Sequence, residues 1–214
     1  MQVEKQHTVQ ADLLLLLVAL IWGFGFVAQR AGMDHIGPYT YNGIRFLLGS
    51  LCLLPLVLRR SATPAVERSR QIPLARAGLL AGIVLFLAAT LQQVGLQYTT
   101  AAKAGFITGL YVVLVPIIGM AFRQRTNTGT WVGAAAASAG LYLLSVNEAL
   151  RIEPGDLLEL IGALFWAVHV LLLSWLSPRT SPVRLALVQF LVCGVLSLVT
   201  GLVLEPFSLE AVRA

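Results

Sequence analysis

Residues 155–176 read GDLLELIGALFWAVHVLLLSWL, and this stretch repeats the beginning of the chain. At the constant offset that carries Asp12 onto Asp156, Ala19 falls on Ala163 and Trp22 on Trp166. Leucine matches are cheap in an apolar helix, but the same register continues without a gap to pair Pro38 with Pro182 and Phe46 with Phe190. A long-period internal repeat is therefore the first property of the fold. The partner of residues 11–147 would run well past Ala214, so the second copy is expected to be incomplete.

Composition sets the broad class. Of the 214 residues 57% are hydrophobic and 12% charged, with a mean hydropathy of +0.82, against a charged share of about 25% in soluble domains. This is an all-α, polytopic membrane helix bundle. Seven apolar runs have the ~17 to 25 residues that a spanning helix needs: 12–29, 41–58, 77–97, 104–122, 131–147, 156–176 and 185–204. The first is too long for a signal-peptide core and lacks a cleavage site.

Basic residues orient the bundle. With the amino terminus in the cytoplasm, the inner side holds Lys5, Arg59, Arg60, Arg68, Arg70, Arg76, Arg123, Arg125, Arg179 and Arg184, and the outer side only Arg30, Lys103, Arg151 and Arg213. The expected location is thus the cytoplasmic (inner) membrane with the N-terminus inside. The pI of about 9.7 is accounted for by this topology and by anionic inner-leaflet lipid, without nucleic acid. Five helices separate the starts of the two copies, so the copies cross in opposite senses, as transporter repeats do. The expected division is a cytoplasmic tail 1–10, a first five-helix repeat 11–147 and a partial second repeat 155–214 of two helices.

Polar side chains at membrane depth are the candidate machinery. Arg45, seven residues past Pro38 and so ~10 Å into its helix, either snorkels outward or bonds structurally, or else contacts an anionic substrate. Its repeat mate is Gln189. Trp22 and Trp166 lie near the midplane, lining a cavity or simply packing. Gln92, Gln93, Tyr98, Lys103, Thr108 and Tyr111 crowd round a short outer turn. Asp12 and Asp156 are expected to cap their helices, and Pro116, which orphans the carbonyl of Val112, to kink its own.

Candidate close contacts are Gly78 with Gly82, Gly105 with Gly109, and the run Gly133–Gly140, in a helix read as a packing element. Histidine, with its unperturbed pKa of ~6.5, is the natural coupling residue. Yet Glu159 lies ten residues from His169, ~15 Å along the axis, and Gly25, its mate, cannot titrate. A neutral, hydrogen-bonded His169 and facilitated exchange, or a weak proton dependence, are expected.

Cys52 and Cys193 lie within spanning runs, and neither a metal spacing, a phosphate loop nor a nucleophile constellation is present, so no cofactor, no metal and no enzyme activity is expected. A central cavity is expected to gather Trp22, Asn42, Arg45, Gln92, Gln93, Tyr111, Trp166 and His169, with Arg45 attracting a carboxylate and the aromatics bounding the apolar part.

The blocks WGFGFVAQRAG (22–32), PYTYNGIRFLLGSLCLLPL (38–56) and, most specifically, GLQYTTAAKAGFITGLYVVLVPIIG (95–119) resemble the EamA-type members of the drug/metabolite transporter superfamily over residues 12–204. The resemblance implies ten helices in two inverted five-helix repeats, with a central cavity and export or exchange of small metabolites such as amino acids. Against that pattern helices eight to ten are missing, so a homodimer or a partner supplying them is a further expectation. Two other readings stand: a non-transporting truncated membrane fragment, and a membrane-embedded enzyme or receptor for a hydrophobic ligand.

Overall fold

The computed structural model describes residues 2–59, 72–122, 126–145 and 153–205. They form helices α1 (Gln2–Gly32), α2 (Pro38–Arg59), α3 (Leu74–Gly95), α4 (Ala101–Gly109), α5 (Tyr111–Ala121), α6 (Thr128–Ser145), α7 (Pro154–Leu176) and α8 (Pro182–Leu204). A 3₁₀ turn, Ser177–Arg179, joins the last two. Among the described residues there is no strand. In hydrocarbon every backbone donor must be satisfied within its own helix. Accordingly α2, α7 and α8 each open on a proline, the residue whose missing N–H costs nothing in the first turn.

Among the described residues six helices are long and apolar enough to cross a bilayer: Leu13–Gly32, Pro38–Arg59, Leu74–Gly95, Ala101–Ala121, Pro154–Arg179 and Pro182–Leu204. The remaining expected run, 131–147, is described only as far as Ser145. Helix α6, only 18 residues long and built largely from Ala, Gly, Ser and Thr, is not among the six. The fourth span comprises α4 and α5, interrupted at Leu110, whose N–H bonds back to the carbonyl of Ile107 at 3.1 Å. The expected kink is therefore realised as a tightened turn next to Gly109, while Pro116 sits inside α5. Helix α1 begins at Gln2, and its apolar span at Leu13. The side chains of Lys5 and Asp12, and Arg60, Ser61, Arg68, Arg70, Arg123, Arg125, Arg151 and Arg213, lie outside the described residues.

Helix α3 is the hub. Ala77, Ala81, Ala88 and Ala89 are all but inaccessible, because small side chains let α7 and α8 close on it. A methyl added to Gly78 would fall 2.2 Å from Cγ1 of Val188, and one on Gly82 2.5 Å from Cβ of Val192, so α3 and α8 run parallel. Gly43 meets Leu198, Gly49 meets Phe190 and Leu47 meets Gly194, in opposite chain order, so α2 and α8 run antiparallel. The carbonyl of Gly95 would lie 2.4 Å from a methyl on Gly155, and Gly162 faces Leu91 and Ala88, so α3 and α7 are antiparallel too.

The expected glycine contacts divide. Gly78 and Gly82 are buried against β-branched partners, whereas Gly133 and Gly140 meet nothing within 4 Å, since α6 presents that face to no other described helix.

Two apolar clusters fill the bundle. One joins Phe46, Leu85, Ala89 and Cys193, with Phe86, Trp166 and Phe190 packed on it. The other joins Ala77, Ala81, Leu176 and Leu185 at the opposite end. Outer faces are apolar, as a lipid solvent requires.

Candidate functional site

Around the first cluster the structure gathers a seam of polar side chains from four helices. Gln29 of α1 donates from Nε2 to the carbonyl of Gly25 at 3.0 Å and accepts at Oε1 from Gln92 Nε2 at 3.4 Å. Gln92 of α3 in turn accepts from the indole N–H of Trp166 at 2.8 Å. Trp166 stands edge-on to His169, ring centroids 5.9 Å apart, and tilted against Trp22 at 6.5 Å. His169 completes the seam with a 2.9 Å bond to Oε1 of Gln189 on α8. A carbonyl oxygen only accepts, so Nε2 carries the hydrogen. Trp22 is half exposed on the outer side of α1 and closes the seam by ring contact alone.

On the far side of the cluster α2 supplies Asn42 and Arg45. Asn42 is fully buried; its Nδ2 donates to the carbonyl of Ala89 at 3.0 Å, and its Oδ1 accepts from Arg45 at 2.9 Å. The Arg45 guanidinium lies 4.8 Å from the ring centroid of Phe46 and 5.9 Å from that of Tyr41, each a cation–π contact. Its Nε is buried without a hydrogen-bond partner. Among the described residues the ion pairs are those of Lys103 with Glu153 and Asp156, so Arg45 is a membrane-depth cation with no carboxylate of its own.

Six of the eight expected residues therefore meet around one cluster: Trp22, Asn42, Arg45, Gln92, Trp166 and His169. Gln93 is completely buried on α3, and both atoms of its amide lack a partner, a costly state for a polar group. Tyr111 heads α5, half-buried, and is joined to the others by no hydrogen bond or ring contact.

Several polar residues with a role in the structure carried no function in the sequence. Gln29 and Gln189 complete the seam; the latter was visible only as the repeat mate of Arg45. Glu205 reaches back from the end of α8 to cap α2, accepting from the N–H of Tyr39 at 2.6 Å, the N–H of Thr40 at 3.1 Å and the Thr40 hydroxyl at 2.5 Å. A carboxylate there satisfies free donors at the positive helix end. Asp156 does cap α7, accepting from the N–H of Glu153 at 2.9 Å, and it also accepts from the Thr99 hydroxyl at 2.5 Å. Arg30 donates to the carbonyl of Leu96, which ties α1 to the α3–α4 turn. No group of three or more His, Cys, Asp and Glu side chains able to hold a metal occurs among the described residues.

The described residues thus form a multi-pass helix bundle, with six helices apolar enough to cross a membrane and a buried polar seam between them. Residues 9–146 match the EamA-like transporter family, and the chain belongs to it. An uncharacterized transporter of Archaeoglobus fulgidus is 36% identical over 195 residues, 91% of this chain and 58% of its own length. The uncharacterized inner membrane transporter YedA of Escherichia coli K12 is 30% identical over 159 residues, 72% of this chain and 49% of its own. The S-adenosylmethionine/S-adenosylhomocysteine transporter of Chlamydia muridarum is 28% identical over 131 residues, 61% of this chain and 40% of its own. The chain thus spans about half the length of such relatives. No solved structure matches it.

Proposed function

We propose that the protein moves small amino-acid-like metabolites across the cytoplasmic membrane by export or exchange, with its N-terminus inside. The observation that carries this is Arg45, a cation at membrane depth with a bare Nε and no described carboxylate partner. An intramembrane charge of this kind marks a ligand pathway by default. The substrate carboxylate sits on the guanidinium, while Asn42, Gln92, Gln93 and His169 offer the amide and imidazole groups for its polar parts. Trp22 and Trp166 bound the apolar side. Tyr111, at the head of α5, is proposed to line the same cavity. That the C. muridarum relative is named for S-adenosylmethionine, a solute with an amino-acid end, supports the same chemistry.

The site works within an inverted repeat, residues 11–147 forming one copy and 155–214 the start of the other. Support comes from α2 and α8, repeat mates that pack antiparallel, and from two mated pairs in direct contact: Trp22 on Trp166, and Phe46 on Phe190 at 5.5 Å. Residues beside a two-fold axis touch their own mates in this way. The family match over residues 9–146 spans nearly the same range as the first copy.

The test is uptake by proteoliposomes. Vesicles holding the purified chain should exchange labelled amino acids or S-adenosylmethionine faster than protein-free vesicles. Equal rates for every such solute would refute the reading.

A further inference from the structure

The transport site leaves unused a ladder of acids on α7. Glu153 is the N-cap of α7, and Asp156 and Glu159 follow at steps of three residues, the last two as neighbours on the helix surface. Exposure falls along the ladder: the side chains of Glu153 and Asp156 are 45% and 12% exposed, and Glu159 is 0% exposed. Lys103 of α4 sits at the exposed end, 3.8 Å from Glu153 and 3.7 Å from Asp156. At the buried end Oε2 of Glu159 accepts from the Thr108 hydroxyl at 2.9 Å, and Oε1 has no hydrogen-bond partner. That oxygen lies where α3 ends on a glycine: a methyl on Gly95 would stand 3.2 Å from it. Glu159 is five residues past Pro154, ~7.5 Å into its span, where an ionised carboxylate with a bare oxygen is strongly disfavoured.

We propose that Glu159 is a proton-binding site reached from one membrane face by way of Glu153 and Asp156, and that it couples a proton to the transport cycle. A proton from water is taken up by the exposed carboxylates and passes to Oε1 of Glu159, while Thr108 keeps the other oxygen; return runs by the same steps. No bond other than O–H forms or breaks. The charged groups grouped with it are Asp156 on its own helix, Glu153 at the cap of that helix and Lys103 on α4. Helix α3 brings no titratable side chain between Arg76 and its end. His169 belongs to the other seam and needs no part in this step.

The coupling rests on the transport reading, but proton binding is measured without it. Infrared titration of the purified protein should show a protonated-carboxyl band that fades as pH is raised. Glu159→Gln should remove the band. Glu159→Asp should keep a band with a shifted midpoint, which also reports a folded protein. Asp156→Asn should keep the band and slow its response to a pH jump. A band that survives Glu159→Gln, the absence of any band at every pH, or erasure by added sodium at fixed pH would each overturn the proposal. Should amino-acid uptake fail while the band titrates and is lost in Glu159→Gln, the transport reading falls and the proton site stands.

Discussion

At the residue scale the seam is held by single hydrogen bonds whose loss is measurable. Trp166→Phe keeps the ring in the cluster but removes the N–H that Gln92 accepts. Leaving a buried acceptor unpaired costs about 1–3 kcal/mol, so the variant should unfold at lower temperature in detergent than the parent. Adding Gln92→Leu should recover part of the loss, because the orphaned oxygen goes with it; a double variant worse than the sum of the singles would contradict the bond's role. His169 is bonded in the interior as its sequence context led us to expect, but its partner, Gln189, was foreseen only as the mate of Arg45. Such pairings across helices depend on rotation about each axis, which an all-apolar sequence does not encode, since lipid-facing and inward-facing positions carry the same residue types. For the same reason the bond between Glu159 and Thr108, 51 residues apart in the chain, was not legible.

At the element scale helix contacts turn on glycine. Gly155 faces the carbonyl of Gly95 and the backbone of Tyr98 and Thr99, atoms that cannot rotate aside. Gly155→Ala should therefore force α7 away from the α3–α4 turn and destabilise the protein by about 1–3 kcal/mol, whereas Gly133→Ala, with open space beside it, should be neutral. Equal melting temperatures for the two variants would refute this packing. Helix number and position were largely legible from apolar run length, because bilayer thickness fixes it. The described part of the run at α6 is only weakly apolar, being built largely from Ala, Gly, Ser and Thr. The stripe of small residues there was uninformative, because spacing shows that a close approach is allowed and not that a partner is present. The break at Leu110 also escaped the sequence, where Pro116 drew attention one and a half turns too far along.

At the scale of the whole molecule, the proposed inverted repeat and the distribution of basic residues together predict topology. With Cys52 and Cys193 replaced by alanine, a cysteine at Asp34 should react with an impermeant reagent only from outside, and one at Ser177, in the turn between α7 and α8, only from inside; the reverse pattern would invert the assignment. Arg45 stands against the cluster that holds Phe46, Leu85, Ala89 and Cys193. The most direct test of the account is counterflow of labelled amino acids in proteoliposomes that carry the parent, Arg45→Lys or Arg45→Ala, each at matched protein content. The account predicts exchange by the parent, weakened exchange with lysine, which keeps the charge but not the planar fork, and loss to the protein-free rate with alanine. Parent-like exchange by Arg45→Ala would contradict it.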